Sequence, residues 1–272
     1  MVRFAIFTIF MLMTLTAGAQ KYEELAKAGT VHLENGETDK AIEKYTAALE
    51  RAGDDVSTEF VYANLALAYM KKGDAKRAEE LLTKGIARNP ESTKMVLFRG
   101  NLYLEQGMAK KAKADYNAVL SKEPFNEEAL YYRAYIHSLE KKNDKAEEDY
   151  YKILSANPSN DKAYYALALL YYNEKNYSQA TLLLNNLIER NPQVADYYLA
   201  CSNIEKTNKR YELALAYIEQ GMASCEESEA LLTEKAELLI ALGEKEEARR
   251  VLDSIVRKGS YSQRVISLYK KL

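Results

Sequence analysis

Few residues in this 272-residue chain carry the chemistry a catalyst needs. There are two histidines, His32 and His137, and two cysteines, Cys201 and Cys225. A hydrolytic metal site calls for an H-E-x-x-H helix or clustered Cys and His, and neither occurs. Isolated helical histidines read as packing residues. There is no Gly-rich dinucleotide loop, Walker loop or G-x-S-x-G elbow. Carboxylate pairs such as Glu79-Glu80 and Glu147-Glu148 read as solvated surface. Asn176-Tyr177-Ser178 fits a glycosylation sequon but is better explained as the turn that starts a helix. These residues predict no catalytic site, no cofactor and no metal, and hence no enzyme.

The unusual feature is aromatic: 22 Tyr against 6 Phe and no Trp. Five Tyr-Tyr doublets occur, at 131–132, 150–151, 164–165, 171–172 and 197–198. Adjacent helical residues point about 100° apart, so one core does not readily absorb both rings. Tyrosine offers a rigid apolar body with a polar tip, which suits a binding surface. The alternative is that crowding buries these rings between neighbouring helices. Charge narrows the partner. Lys plus Arg number 38 and Asp plus Glu 40, a net charge of −2, which gives no basic field for nucleic acid.

The elements that must position these rings repeat. All four prolines lie 34 residues apart, at Pro90, Pro124, Pro158 and Pro192. A second ruler runs through Ala41, Ala78, Ala112, Ala146, Ala180, Ala214 and Ala248, with a first step of 37 and then steps of 34. Each period reads as two helices. Helix A is apolar at helical spacing, as in Tyr164, Leu167, Ala168 and Tyr171. A Gly- or Asn-marked turn follows, with Asp74 and Asn176 as N-caps of helix B. Proline then stops helix B. Small residues sit where helices must approach closely.

Before the repeats, Met1–Gln20 carries one cation (Arg3), a short apolar run from Phe4 to Leu15, and Ala17-Gly18-Ala19. That layout predicts a signal peptide over 1–19, because the run is too short to span a bilayer. No cysteine follows for a lipid anchor, and no second apolar stretch of spanning length appears. An exported, periplasmic product without stable membrane insertion is expected. Such a compartment permits a disulfide. Cys201, however, lies where helix A packs on its own helix B and Cys225 beyond that helix's end, so the register disfavours a bridge. Pairing stays open.

These residues resemble the tetratricopeptide repeat, with its small helix-A position (Gly29, Ala66, Gly100, Ala134, Ala168, Ser202, Ala236), its tyrosines (Tyr69, Tyr103, Tyr171) and its proline. The resemblance implies an all-α, right-handed α-solenoid of about seven helix-turn-helix units over 20–262. The repeats are 22–55, 59–92, 93–126, 127–160, 161–194, 195–228 and 229–262, followed by a capping helix at 263–272. Val56-Ser57-Thr58 lengthen the loop after the first repeat. The sixth and seventh repeats lack the proline, and Glu205 puts a charge where packing is expected.

In this family's fold the A helices line a concave groove where partners bind. The groove positions here include Lys94, Leu97, Asn101, Tyr131, Tyr135, Lys162, Tyr165, Tyr172 and Asn203. Rings at these positions would supply affinity, with specificity from Lys94, Asn101, Lys162 and Asn203. A clamp for chaperone C-termini is not matched, since Ala26, Thr30 and Phe98 stand where Lys, Asn and Arg belong. The resemblance implies a non-catalytic scaffold of the cell envelope holding a peptide or helix of another envelope protein. A glycan-binding module using the same rings is the alternative, and a homo-oligomer is left open.

Overall fold

The computed structural model describes residues 21–52, 58–226 and 228–272. The expected signal segment, 1–19, and the inserted Val56-Ser57 lie outside the described residues. Within them the chain forms helices and no strand. The helices come in antiparallel pairs, A then B: α1 (21–34) with α2 (Thr38–Arg51), and α3 (Glu59–Lys71) with α4 (Ala75–Arg88). Next are α5 (Thr93–Glu105) with α6 (Ala109–Lys122), and then, in chain order, α7 (Glu127–Leu139) and α8 (Asn143–Ala156). Then come α9 (Asp161–Asn173) with α10 (Tyr177–Arg190), and α11 (Ala195–Thr207) with α12 (Tyr211–Ser224). The last pair is α13 (Glu229–Leu242) with α14 (Lys245–Arg257), followed by a short α15 (Gln263–Tyr269). This is an all-α helix-turn-helix solenoid. It divides within α7 into two compact units, one through Ile136 and one from His137.

Each hairpin turn needs one residue in the left-handed region. Gly36, Gly73, Gly107 and Gly243 supply it at φ of 77°, 84°, 71° and 85°. At three turns a lysine does so instead: Lys141, Lys175 and Lys209, at 58°, 64° and 59°. A side chain makes that conformation costly, whereas glycine adopts it freely. Caps fix the helix starts. Ser92, Asn126 and Asn160, each 34 apart, accept from the backbone N–H of Met95, Ala129 and Ala163. Asp74 and Asn176 do the same for helix B, accepting from Arg77 and Gln179. Each such cap contributes about 1 kcal/mol.

In the first unit, Ala41, Ala78 and Ala112 are fully buried, which is why the B helices keep that residue. Gly29 and Gly100 let a tyrosine of helix B lie flat on helix A. A Cβ at either would come within 2.7 and 2.8 Å of the Tyr45 and Tyr116 rings. Both hydroxyls end on the residue after the glycine, Tyr45 at 3.0 Å from the Thr30 hydroxyl and Tyr116 donating to Asn101 at 2.9 Å. Arg99 grips the 7 % exposed Asp115 through two bonds of 2.8 Å.

The second unit repeats this plan, with Ala146, Ala180, Ala214 and Ala248 fully buried. The charge at Glu205 is accommodated: its carboxylate lies 2.6 Å from the Arg210 guanidinium. At the C-terminal end, Val265 and Leu268 of α15 pack on Ala236, Leu252 and Ile255. Ile266, by contrast, is exposed. Glu234, 2 % exposed, is held between Lys206 of α11 and Arg264 of α15, each at 2.5 Å. A carboxylate buried that deeply requires such partners.

Candidate functional site

In the second unit, α9 and α11 turn matching faces to one depression of about 150 Å³. Tyr165, Leu169 and Tyr172 come from α9, and Asp196, Leu199 and Asn203 from α11. These are spaced one helical turn apart, so each set forms a single stripe. Leu184 of α10 and the small Ala168 and Ala200 lie among its walls. The Tyr165 ring packs at 5.4 Å against Tyr197 of α11, tilted by 47°. Tyr172 is fixed by the Tyr177 ring at 5.7 Å and by a 3.2 Å contact between its hydroxyl and that of Thr207. Thr207 in turn donates to the Asn203 carbonyl. Leu169 is 38 % exposed. Asp196 is exposed and has no ion pair among the described residues. Lys162 sits one turn before Tyr165, also exposed.

The doublet members part ways. Tyr171 is buried and its hydroxyl donates to Glu147 at 2.5 Å, while Tyr172 borders the depression. Desolvation, reinforced by Glu147, pushes the Tyr171 phenol far above its ordinary value. Tyr164 lies under the Arg190 guanidinium at 5.4 Å. Tyr150 is buried and Tyr151 exposed. The pair Tyr197-Tyr198 follows the alternative, burial between neighbouring helices, since both rings are buried. Helix A is packed on two sides: Tyr198 lies over Gly221 of α12 and Tyr197 against α9.

In the first unit the sequence-derived positions are largely engaged within the protein. Lys94 holds its amine 5.9 Å over the Phe98 ring. Leu97 is 7 % exposed, so its assignment to a partner surface is corrected: the side chain is short enough to be covered. Asn101 accepts from Tyr116 and donates to Glu128 at 2.8 Å, so it ties α5, α6 and α7 together. Tyr131 is half-buried, edge-on to Tyr132 at 5.5 Å, and burial raises its phenol. Tyr132 stacks on Tyr116 at 6.0 Å. Tyr135 alone among these rings is well exposed, at 45 %.

Residues 32–102, 69–134 and 137–204 match the family model for the tetratricopeptide repeat. The chain belongs to that family. Solved structures agree. A tetratricopeptide repeat protein from Parabacteroides merdae is 25% identical with a TM-score of 0.71, over 93% of this chain and 98% of that one. PilF of Pseudomonas aeruginosa is similar in fold, at 16% identity and a TM-score of 0.61, over 81% of this chain and 100% of that one. So is MamA from Desulfovibrio magneticus, at 16% and 0.55, over 61% and 93%. No curated protein matches the sequence. Tetratricopeptide repeats are generally protein-interaction scaffolds.

The repeat framework accounts for the remaining reactive side chains. His32 bonds Glu37 through Nδ1 at 2.5 Å, and Lys40 with His32 holds that carboxyl below its usual range. Cys201 and Cys225 are free thiols, and burial pushes Cys201 up to about 12, which suppresses its thiolate. Among the described residues no three His, Cys, Asp or Glu are grouped to hold a metal, and no helix is long and apolar enough to cross a membrane. The reading of Glu79-Glu80 and Glu147-Glu148 as mere solvated surface is corrected. Glu79 accepts from Tyr103 at 2.7 Å, as Glu147 does from Tyr171. The signal was present: each glutamate stands 24 residues before the tyrosine of the next helix A.

Proposed function

We propose that this protein is a non-catalytic scaffold of the cell envelope that docks a segment of a partner protein on the facing surfaces of α9 and α11. The observation that carries this reading is the depression itself. Two tyrosines and three leucines stand around it with the rings held in place by neighbours, and partly exposed aromatic clusters of that kind suit contact surfaces. Its volume of about 150 Å³ suits one inserted side chain better than a run of sugar rings. A site built on two helices rather than on loops also loses little entropy on binding. The signal-like leader supports an exported location.

The test is co-purification after crosslinking in the native cell. A stoichiometric partner should be recovered with the unaltered protein and lost with Tyr165→Ala combined with Tyr172→Ala. Retention of the partner by the double variant, with its unfolding transition intact, would sink the proposal.

A further inference from the structure

Granting that docking reading, we infer that the depression between α9 and α11 is a receptor for one arginine or lysine side chain of the partner segment. The argument begins with a unit this protein builds several times over: a tyrosine face, a carboxylate and a cation. Arg190 lies 5.4 Å over Tyr164 while reaching Asp161 at 2.7 Å. Arg77 lies 5.4 Å over Tyr69 with Asp74 at 3.3 Å. Lys111 lies 4.7 Å over Tyr103 with Glu79 at 3.3 Å. In each, the ring quadrupole and the carboxylate attract the same positive charge.

The depression has the first two components. Tyr165 and Tyr172 give ring surface and Asp196 gives the carboxylate, which has no cation of its own among the described residues. Leu169 and Leu199 complete an apolar wall of the kind that the methylene stem of a long basic side chain covers. The space, about 150 Å³, is that of one such side chain, and Asn203 on the rim offers an amide to the adjacent backbone. An aspartate or glutamate from a partner would meet Asp196 as a like charge, and a leucine would leave that carboxylate without a partner.

Methyl NMR on the full chain labelled at leucine tests this. N-acetyl-arginine amide should shift the Leu169 and Leu199 methyls, more tightly than N-acetyl-leucine amide does. Asp196→Asn should weaken the arginine probe about fivefold to tenfold and leave the leucine probe unchanged. Tyr165→Leu, which keeps the bulk but removes the quadrupole, should also weaken the arginine probe, and it covers the case in which the Asp196 variant unfolds. Overturning results are an arginine probe that shifts neither methyl, or one indifferent to Asp196→Asn. If the leucine probe then binds alone, the docking surface stands and only its preference for a cation falls. If the Tyr165/Tyr172 double variant also keeps the partner in cells, the docking reading falls too.

Discussion

Gly100 and Tyr116 show how much one residue decides. The ring lies flat on the backbone of α5, and a methyl at position 100 would stand 2.8 Å from a fully buried tyrosine that has nowhere to move. Gly100→Ala should therefore destabilise by about 1–3 kcal/mol despite its better helix propensity. Adding Tyr116→Leu, the partnership seen in Ala66 with Leu82 and Ala168 with Leu184, should recover part of that loss in a double-mutant cycle by denaturant unfolding. Tyr103 makes a pH prediction. Burial first, then Glu79, pushes its phenol up to about 12, against about 10 when unfolded. The neutral phenol thus favours the folded state, so its contribution is complete below pH 10 and is lost as pH rises toward 12. The unfolding temperature should fall across that window, and less steeply in Tyr103→Phe. Side-chain depth was the least legible property. Leu97 and Tyr165 are each the fifth residue of their helix A, yet the leucine is covered and the longer tyrosine reaches the surface. Register fixes the face a residue occupies. Length and the neighbouring helix fix whether it emerges.

At the scale of the element, the hairpin was readable because its stops and crossings use residues with one physical purpose. Proline ends helix B, alanine allows the closest approach, and Asp or Asn caps the next start. The turn was less legible, since Lys141, Lys175 and Lys209 hold a conformation that glycine marks elsewhere. Lys175→Gly should stabilise by about 1 kcal/mol, read from the denaturation midpoint, because the left-handed residue is then unstrained. A matching gain should follow at Lys209, whereas Gly107→Lys should lose a similar amount. The buried carboxylates Asp115 and Glu234 were not legible at all, because their cations arrive from other helices.

For the whole molecule, a repeat array is stable only as a sum of neighbour contacts, so its ends need covering. Ending the chain after Ser262 would remove Val265 and Leu268 from Ala236, Leu252 and Ile255, and Arg264 from Glu234. The shortened protein should unfold at a lower temperature and bind an apolar dye before its main transition. Function rests on a different surface, and placing a photo-crosslinking residue at single positions addresses it most directly. Introduced at Tyr165 or Leu199 beside the depression, the probe should yield one discrete adduct in cells. At Leu182 and Leu213, exposed on α10 and α12, it should yield none. Adducts at the α10 and α12 positions with none at 165 or 199 would contradict docking on α9 and α11.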